Sequence, residues 1–270
     1  MDHRAELQIA ERAARAAGLL VLAHYRRGGV AVETKADDSP VTQADRDANA
    51  AILEILGAAF PADAILSEET PDDGARLANR RVWIVAPLDG TKDFINRSDE
   101  FAVHVGLAVD GVAAVGAVYV PVAGVMYAAS QGHGAWRVVD DARTRLQVSM
   151  AGQLRALRIG TSRAYPSAPL AAFLDVQEIG QRVPMGASTK LMAVAAGELD
   201  AVINLTSGEQ EWDTCAPEVI VREAGGTYTD ASGAAFQYNQ PDPMHRRGSI
   251  ASNGACHQAV VTALAPHVAA

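Results

Sequence analysis

Trp83-Ile84-Val85-Ala86-Pro87-Leu88-Asp89-Gly90-Thr91 is the stretch on which the reading of the fold turns. Residues 81–85 are bulky and β-branched, which favours a strand. Pro87 and the Asp89-Gly90 pair then signal a turn, so the strand delivers a carboxylate to its tip. A turn that opens a helix presents free backbone N–H groups, and these favour a phosphate. Asp89, Gly90 and Thr91 therefore combine a ligand for a hard cation, donors for an anion and a hydroxyl able to orient water. Alone, an Asp-Gly-Thr triplet is more often an ordinary surface turn.

Outward from this stretch, two further acidic sites stand at element ends. Glu68 follows a short strand predicted at residues 64–66, and Asp213 opens a helix predicted at 213–224. Carboxylates buried near one another are costly unless a cation compensates them. Oxygen ligands from separate strands suit Mg²⁺, which takes one or two carboxylates together with waters and substrate phosphate. The chemistry this suggests is metal-assisted hydrolysis of a phosphate ester.

The flanking pattern places these residues in a layered fold. Leu7, Ala10, Ala14, Ala17, Val21 and His24 recur at helical spacing and predict a helix over 2–25, stopped by Gly28-Gly29. A second helix is predicted over 42–60, with Ala44, Ala48, Ile52, Ile55, Leu56 and Ala59 as its stripe and Pro61 as its end. Residues 35–40 read as a loop. Strands at 103–109, 113–120, 125–129 and 135–139 are separated by turn signals such as Asp110-Gly111, so an antiparallel sheet is expected. After residue 150 strands at 157–160, 183–185, 201–205 and 249–251 alternate with helices at 166–174, 188–196, 213–224 and 254–264. The expectation is an α+β part over 1–150 stacked on an α/β part over 151–270.

Composition narrows the partners. The chain has 270 residues and a net charge of −9, which argues against long nucleic acids, whose binding needs a basic footprint. A small anion remains compatible, because a metal ion or a cluster of donors reverses the sign inside one cleft. No apolar run reaches the ~18 residues of a membrane span, and residues 1–6 are charged, unlike a signal peptide. A cytoplasmic location is the default expectation. Cys215 and Cys256 have neither disulfide nor zinc spacing, and Cys215, inside an apolar helical pattern, reads as an inert buried thiol.

Taken together the segments are far more specific than apart. Leu66-Ser-Glu-Glu69, Trp83-Ile-Val-Ala-Pro-Leu-Asp-Gly-Thr91 and Glu211-Trp-Asp-Thr214 occur in this order, trailed by Glu223-Ala-Gly-Gly226. They resemble the signature segments of the inositol-monophosphatase superfamily, and the resemblance runs from Val41 to Asn253. Within it, Trp212-Asp-Thr-Cys-Ala-Pro-Glu-Val-Ile220 and Gly186-Ala-Ser-Thr-Lys190 are similar to the 3'(2'),5'-bisphosphate nucleotidases. The resemblance implies an αβαβα sandwich mixing α/β and α+β layers, like fructose-1,6-bisphosphatase, and a place in sulfur assimilation. It also implies removal of the 3'-phosphate of adenosine 3',5'-bisphosphate, leaving AMP. 3'-Phosphoadenylyl sulfate is the second substrate expected, and inositol monophosphate or a sugar bisphosphate the alternatives.

Residue by residue, the resemblance makes Glu68 and the Leu88 carbonyl ligands of a first Mg²⁺, and Asp89 and Asp213 ligands of a second. Thr91, Glu68 and Asp45 would serve the attacking water. Gly90 and Thr91 would cradle the phosphate. Thr161, Ser162, Arg163, Gly186, Ser188 and Lys190 would line a nucleotide pocket in the C-terminal part. Asp45 also has the residue type of a helix cap. Lithium sensitivity and a homodimer are compatible with the family.

One position departs from the pattern. The family signature has Asp-Pro-Leu-Asp-Gly-Thr, whereas this chain has Ala86. The missing aspartate is the one that bridges two metals in the family, and a methyl group cannot coordinate a cation. Weakened catalysis is expected, with an inactive nucleotide sensor as the competing outcome. Because Glu68, Asp89, Thr91 and Asp213 all persist, a recent or engineered change is favoured over long decay.

Overall fold

A computed structural model describes residues 2–29, 31–35, 39–186, 189–206 and 208–267. The chain opens with helix α1 (Arg4–Arg27), the paired strands β1 (Val32–Thr34) and β2 (Pro40–Thr42), and helix α2 (Gln43–Ala59). Strands β3 (Ala64–Ser67) and β4 (Arg81–Asp89) follow, then the short helix α3 (Thr91–Ile95). Strands β5 (Ala102–Val109), β6 (Val112–Val120), β7 (Val125–Ser130), β8 (Ala135–Val139) and β9 (Ala142–Arg145) complete a seven-stranded sheet in chain order. Only the β3–β4 pair in it is parallel. The antiparallel run is held in register by tight turns. At Asp110-Gly111 both residues have positive φ, the backbone a two-residue hairpin requires and Asp-Gly tolerates.

The remaining elements are β10 (Arg158–Ser162), α4 (Ala168–Val176), β11 (Gln181–Met185), α5 (Thr189–Ala195), β12 (Ala201–Asn204), β13 (Glu209–Gln210), α6 (Glu211–Glu223), β14 (Thr227–Asp230), β15 (Met244–His245), β16 (Ser249–Ser252) and α7 (His257–Leu264). A five-stranded sheet takes the order β11-β10-β12-β16-β14. Its β10 contacts are parallel and the rest antiparallel. β13 and β15 pair separately.

Three cores stack these layers. The apolar stripes of α1 and α2, with Ala10, Ala14, Ala17, Val21, Ala48, Ile52 and Leu56 buried, close one face of the seven-stranded sheet. α5 and α6 fill the space between the two sheets. α4 and α7 cover the far face of the smaller sheet. The order is α, β, α, β, α, the expected sandwich. A core of this size stabilises through apolar burial at roughly 25 cal/mol per Å². No helix among the described residues is long and apolar enough to cross a membrane.

α6 lies against the backbone of its sheet because two strand glycines admit it. A Cβ added at Gly106 would meet Cys215 Sγ at 2.7 Å, and one at Gly116 would meet the Ala216 carbonyl oxygen at 2.2 Å. Cys215 is fully buried, as its sequence context predicts, and burial raises its pKa well above the usual thiol value.

Behind α6, His245 Nε2 lies 2.9 Å from Thr214 Oγ1 and its ring lies 4.3 Å from that of Phe236. Burial pushes its pKa from the ordinary 6.5 down to about 4. Between those values the unfolded chain takes up a proton that the folded chain refuses, so stability is expected to fall as pH drops from 6.5 towards 4. The full effect is up to roughly 3 kcal/mol. Urea unfolding at pH 7 and 4.5 checks this, and His245→Asn should show a shallower acid loss.

Candidate active site

The parallel β3–β4 pair brings the first acidic positions together. Ser67 stands level with Val85, so Glu68 and residue 86 leave the sheet at the same edge. The Glu68 N–H donates to the Val85 carbonyl at 3.1 Å and fixes it there. An irregularity between Ala86 and Asp89 shifts the register, and β4 pairs with β5 again at Asp89 opposite Ala102. Pro87, lacking an N–H, is tolerated inside that irregularity. α6 arrives from the other side, with the Trp212 carbonyl oxygen 3.3 Å from His104 Nδ1 on β5.

Electrostatics show that the three predicted carboxylates share one region. Burial pushes the Asp213 carboxyl well above the usual carboxylate range, and the charges of Asp89, Glu68 and Glu209 add to it. Burial also pushes Glu68 up to about 7, opposed by Lys35 and assisted by Glu69 and Asp45. Lys35 Nζ donates to Glu68 Oε1 at 3.0 Å and to Glu69 Oε1 at 2.6 Å. Lys190 acts favourably on Glu209, which places this lysine beside the same cleft. The acidic groups still outnumber these two cations. Two buried side-chain atoms here, His104 Nε2 and Glu209 Oε2, have no hydrogen-bond partner. An anionic, incompletely satisfied cleft of oxygen donors fits a hard divalent ion. Among the described residues, no three His, Cys, Asp or Glu side chains are already close enough together to hold a metal ion.

Thr91 and Asp45 meet although 46 positions apart. Thr91 Oγ1 lies 3.2 Å from Asp45 Oδ1 and 3.3 Å from the Leu88 carbonyl oxygen. The other Asp45 oxygen accepts from Thr42 N at 2.8 Å and Thr42 Oγ1 at 2.7 Å. Asp45 is thus the third residue of a capping box whose N-cap is Thr42. The cap and the partner of Thr91 are one carboxylate, used through two oxygens. Burial raises its pKa, and the bonds from Thr42 and Thr91 pull it back. Asp213 repeats the device on α6, where Oδ2 accepts the Gln210 N–H at 2.7 Å.

The predicted nucleotide pocket is only partly presented to a ligand. Thr161 and Ser162 end β10 and are half-buried, with Ser162 Oγ accepting the Tyr165 N–H at 3.0 Å. Arg163 pairs with Glu100 and donates from Nη2 to the Pro184 carbonyl at 2.9 Å. The Gly186 N–H donates to the same Glu100 carboxylate at 2.9 Å, and a Cβ at Gly186 would come within 2.6 Å of Glu100 Cβ. Arg163 and Gly186 therefore tie the smaller sheet to the loop before β5. Ser188 lies outside the described residues.

Sequence reasoning missed Lys35, Glu100, His104 and Glu209, and it quoted Glu69 in a motif without giving it a role. Lys35 sits in a stretch read as loop, and His104 hides inside an apolar strand. Glu211, quoted in a motif without a role, is 1% exposed and accepts the Asn239 and Gln240 N–H groups at 2.7 and 2.8 Å. It anchors the loop that also receives Arg76.

Known proteins resemble this chain along most of its length. The inositol monophosphatase family model matches residues 2–269. The chain is 36% identical over 208 residues to the 3'(2'),5'-bisphosphate nucleotidase CysQ of Escherichia coli (strain K12), covering 77% of this chain and 82% of that protein. It is 34% identical over 239 residues to a histidinol-phosphatase of Mycobacterium tuberculosis, covering 86% and 87%. The crystal structure of CysQ from Bacteroides thetaiotaomicron superposes with a TM-score of 0.78 at 30% identity, covering 93% and 98%.

Proposed function

The chain belongs to the inositol monophosphatase family and is a phosphatase, and from that premise we propose that it hydrolyses the 3'-phosphate of adenosine 3',5'-bisphosphate to AMP. 3'-Phosphoadenylyl sulfate is the second substrate of this reading, and Mg²⁺ its cofactor. The observation that carries it is that the charges of Asp89 and Glu68 both bear on Asp213, while Asp45 of the Thr91–Asp45 hydrogen bond bears on Glu68. The nucleotide assignment rests on the likeness to CysQ and on Lys190 at the edge of the cleft.

Glu68, Asp89, Asp213 and the Leu88 carbonyl would hold the cation. When bound, it supplies charge neutralisation at the phosphoryl oxygens and Lewis acidity towards water. Thr91 Oγ1, donating to Asp45 Oδ1, keeps lone pairs free to accept a hydrogen bond from the attacking water. Asp45, buried and raised in pKa, can receive the proton passed along that pair. The Gly90 and Thr91 N–H groups, at the open start of α3, would hold the phosphate oxygens. Positioning and charge neutralisation carry most of such a reaction. Ala86 removes one carboxylate from this set and weakens it.

The likeness to the histidinol-phosphatase, which spans more of the chain than the likeness to CysQ, favours a second reading with histidinol phosphate as substrate. Phosphate release from adenosine 3',5'-bisphosphate, inositol 1-phosphate and histidinol phosphate, measured with Mg²⁺ on this chain and on Ala86→Asp, decides between them. The nucleotide should show the highest kcat/KM by at least about tenfold. Preference for histidinol phosphate transfers the assignment to the second reading.

A further inference from the structure

His104 belongs to none of the motifs quoted above, yet it occupies the point where the cleft is chemically incomplete. It lies directly across the β4–β5 ladder from Ala86, so both side chains leave the same face of the sheet. The imidazole is 0% exposed. Its Nδ1 faces the Trp212 carbonyl oxygen. A carbonyl only accepts, so Nδ1 carries the hydrogen and the neutral ring keeps its lone pair on Nε2. That nitrogen has no hydrogen-bond partner and sits 3.6 Å from Asp89 Oδ2. With the ring neutral, both atoms of this contact are electron-rich, and a cation between them would be attracted to both. A ring whose one N–H is tied to a backbone carbonyl while the other nitrogen is open is the arrangement of a metal-ligating histidine.

We propose that His104 Nε2 is a nitrogen ligand of the divalent cation in this cleft, acting with Asp89 where position 86 supplies no carboxylate, and that it shifts the site's preference from Mg²⁺ towards Zn²⁺ and Co²⁺. Imidazole suits these softer ions, whereas Mg²⁺ selects oxygen. The inference rests on the phosphatase reading for the presence of a cation, but its test is independent of turnover.

The test uses the intact chain loaded with Mn²⁺ as a paramagnetic reporter. Electron spin-echo envelope modulation should show a directly coordinated ¹⁴N, and the coupling should vanish in His104→Asn. Calorimetry should show Zn²⁺ affinity falling at least about tenfold in His104→Asn, the loss typical of disturbing a metal's ligand environment, with Mg²⁺ affinity changing less than threefold. Bound Mn²⁺ without nitrogen coupling overturns the proposal, as does coupling that survives His104→Asn or no Mn²⁺ binding at millimolar concentration. If the variant fails to fold, the spectrum of the unmodified chain still decides. Nitrogen-free Mn²⁺ binding would leave the phosphatase reading intact, while failure of the substrate panel would leave the spectrum unaffected.

Discussion

Ala86→Asp should raise Mg²⁺-dependent phosphate release from adenosine 3',5'-bisphosphate by at least about 100-fold. Disturbing even an outer partner of a metal ligand costs ~10–100-fold, so restoring a direct ligand should return at least that much. Position 86 is fully buried and level with His104, whose Nε2 is 3.6 Å from Asp89 Oδ2, and the charges of Asp89 and Glu68 already bear on Asp213. A further carboxylate there has two consequences of opposite sign. Without a divalent ion it adds an uncompensated buried charge, and the melting temperature should fall. With Mg²⁺ the ion binds the folded state more tightly, and stability should rise by more than in the unmodified chain. Thermal melts with EDTA and with Mg²⁺, beside the phosphate assay, separate these effects. A variant whose activity and Mg²⁺ response both match the unmodified chain would show that position 86 has no part in the site.

Gly116→Val should destabilise the protein by more than about 3 kcal/mol, or prevent folding altogether. The added Cβ would stand 2.2 Å from the Ala216 carbonyl oxygen and 3.1 Å from its Cα. Both are backbone atoms of α6, so no side chain can turn aside. Overpacking a tight core ordinarily costs ~1–3 kcal/mol, and a clash with helix backbone belongs at or beyond the top of that range. The helix would have to lift from β5 and β6, carrying Asp213 and the Trp212 carbonyl with it. Activity should therefore be lost even where some fold survives. Gly57→Ala is the control: nothing lies within 4 Å of a Cβ at that helical position. There alanine should stabilise by about 0.5–1 kcal/mol. Urea denaturation of both variants measures the contrast, and equal stabilities would mean that α6 does not sit as tightly as described.

The elements that an amino-acid pattern marks strongly were legible before any coordinates. Ala10, Ala14, Ala17, Val21, Ala44, Ala48, Ile52 and Leu56 of the two stripes are buried as their spacing implied, while Leu7, His24, Ile55 and Ala59 are partly buried, and the Asp110-Gly111 turn has the backbone that pairing requires. The weakly marked elements escaped. β9 is exposed at all four positions, so no apolar alternation betrays it. β13 and β15 have two residues each, too few for a period. The candidate site divides in the same way. Its motif residues were visible because each sits at an element end with a turn beside it. Lys35 and His104 were not, because their roles depend on pairing across the fold. Lys35 meets Glu68 only through the loop between β1 and β2, and His104 gains meaning only from the register that sets it opposite Ala86. Asp45 shows a further limit. Cap and site looked like rival roles for one residue, and the two oxygens of its carboxylate perform both.

The central claim is that acidic groups from β3, β4 and α6 hold a divalent cation in one cleft. Anomalous diffraction from crystals soaked in Mn²⁺ tests it most directly. The account predicts a peak between the Asp89 and Asp213 carboxylates, on the side facing Glu68 and Thr91. A saturating soak that leaves that position empty, or a peak elsewhere on the molecule, would contradict it.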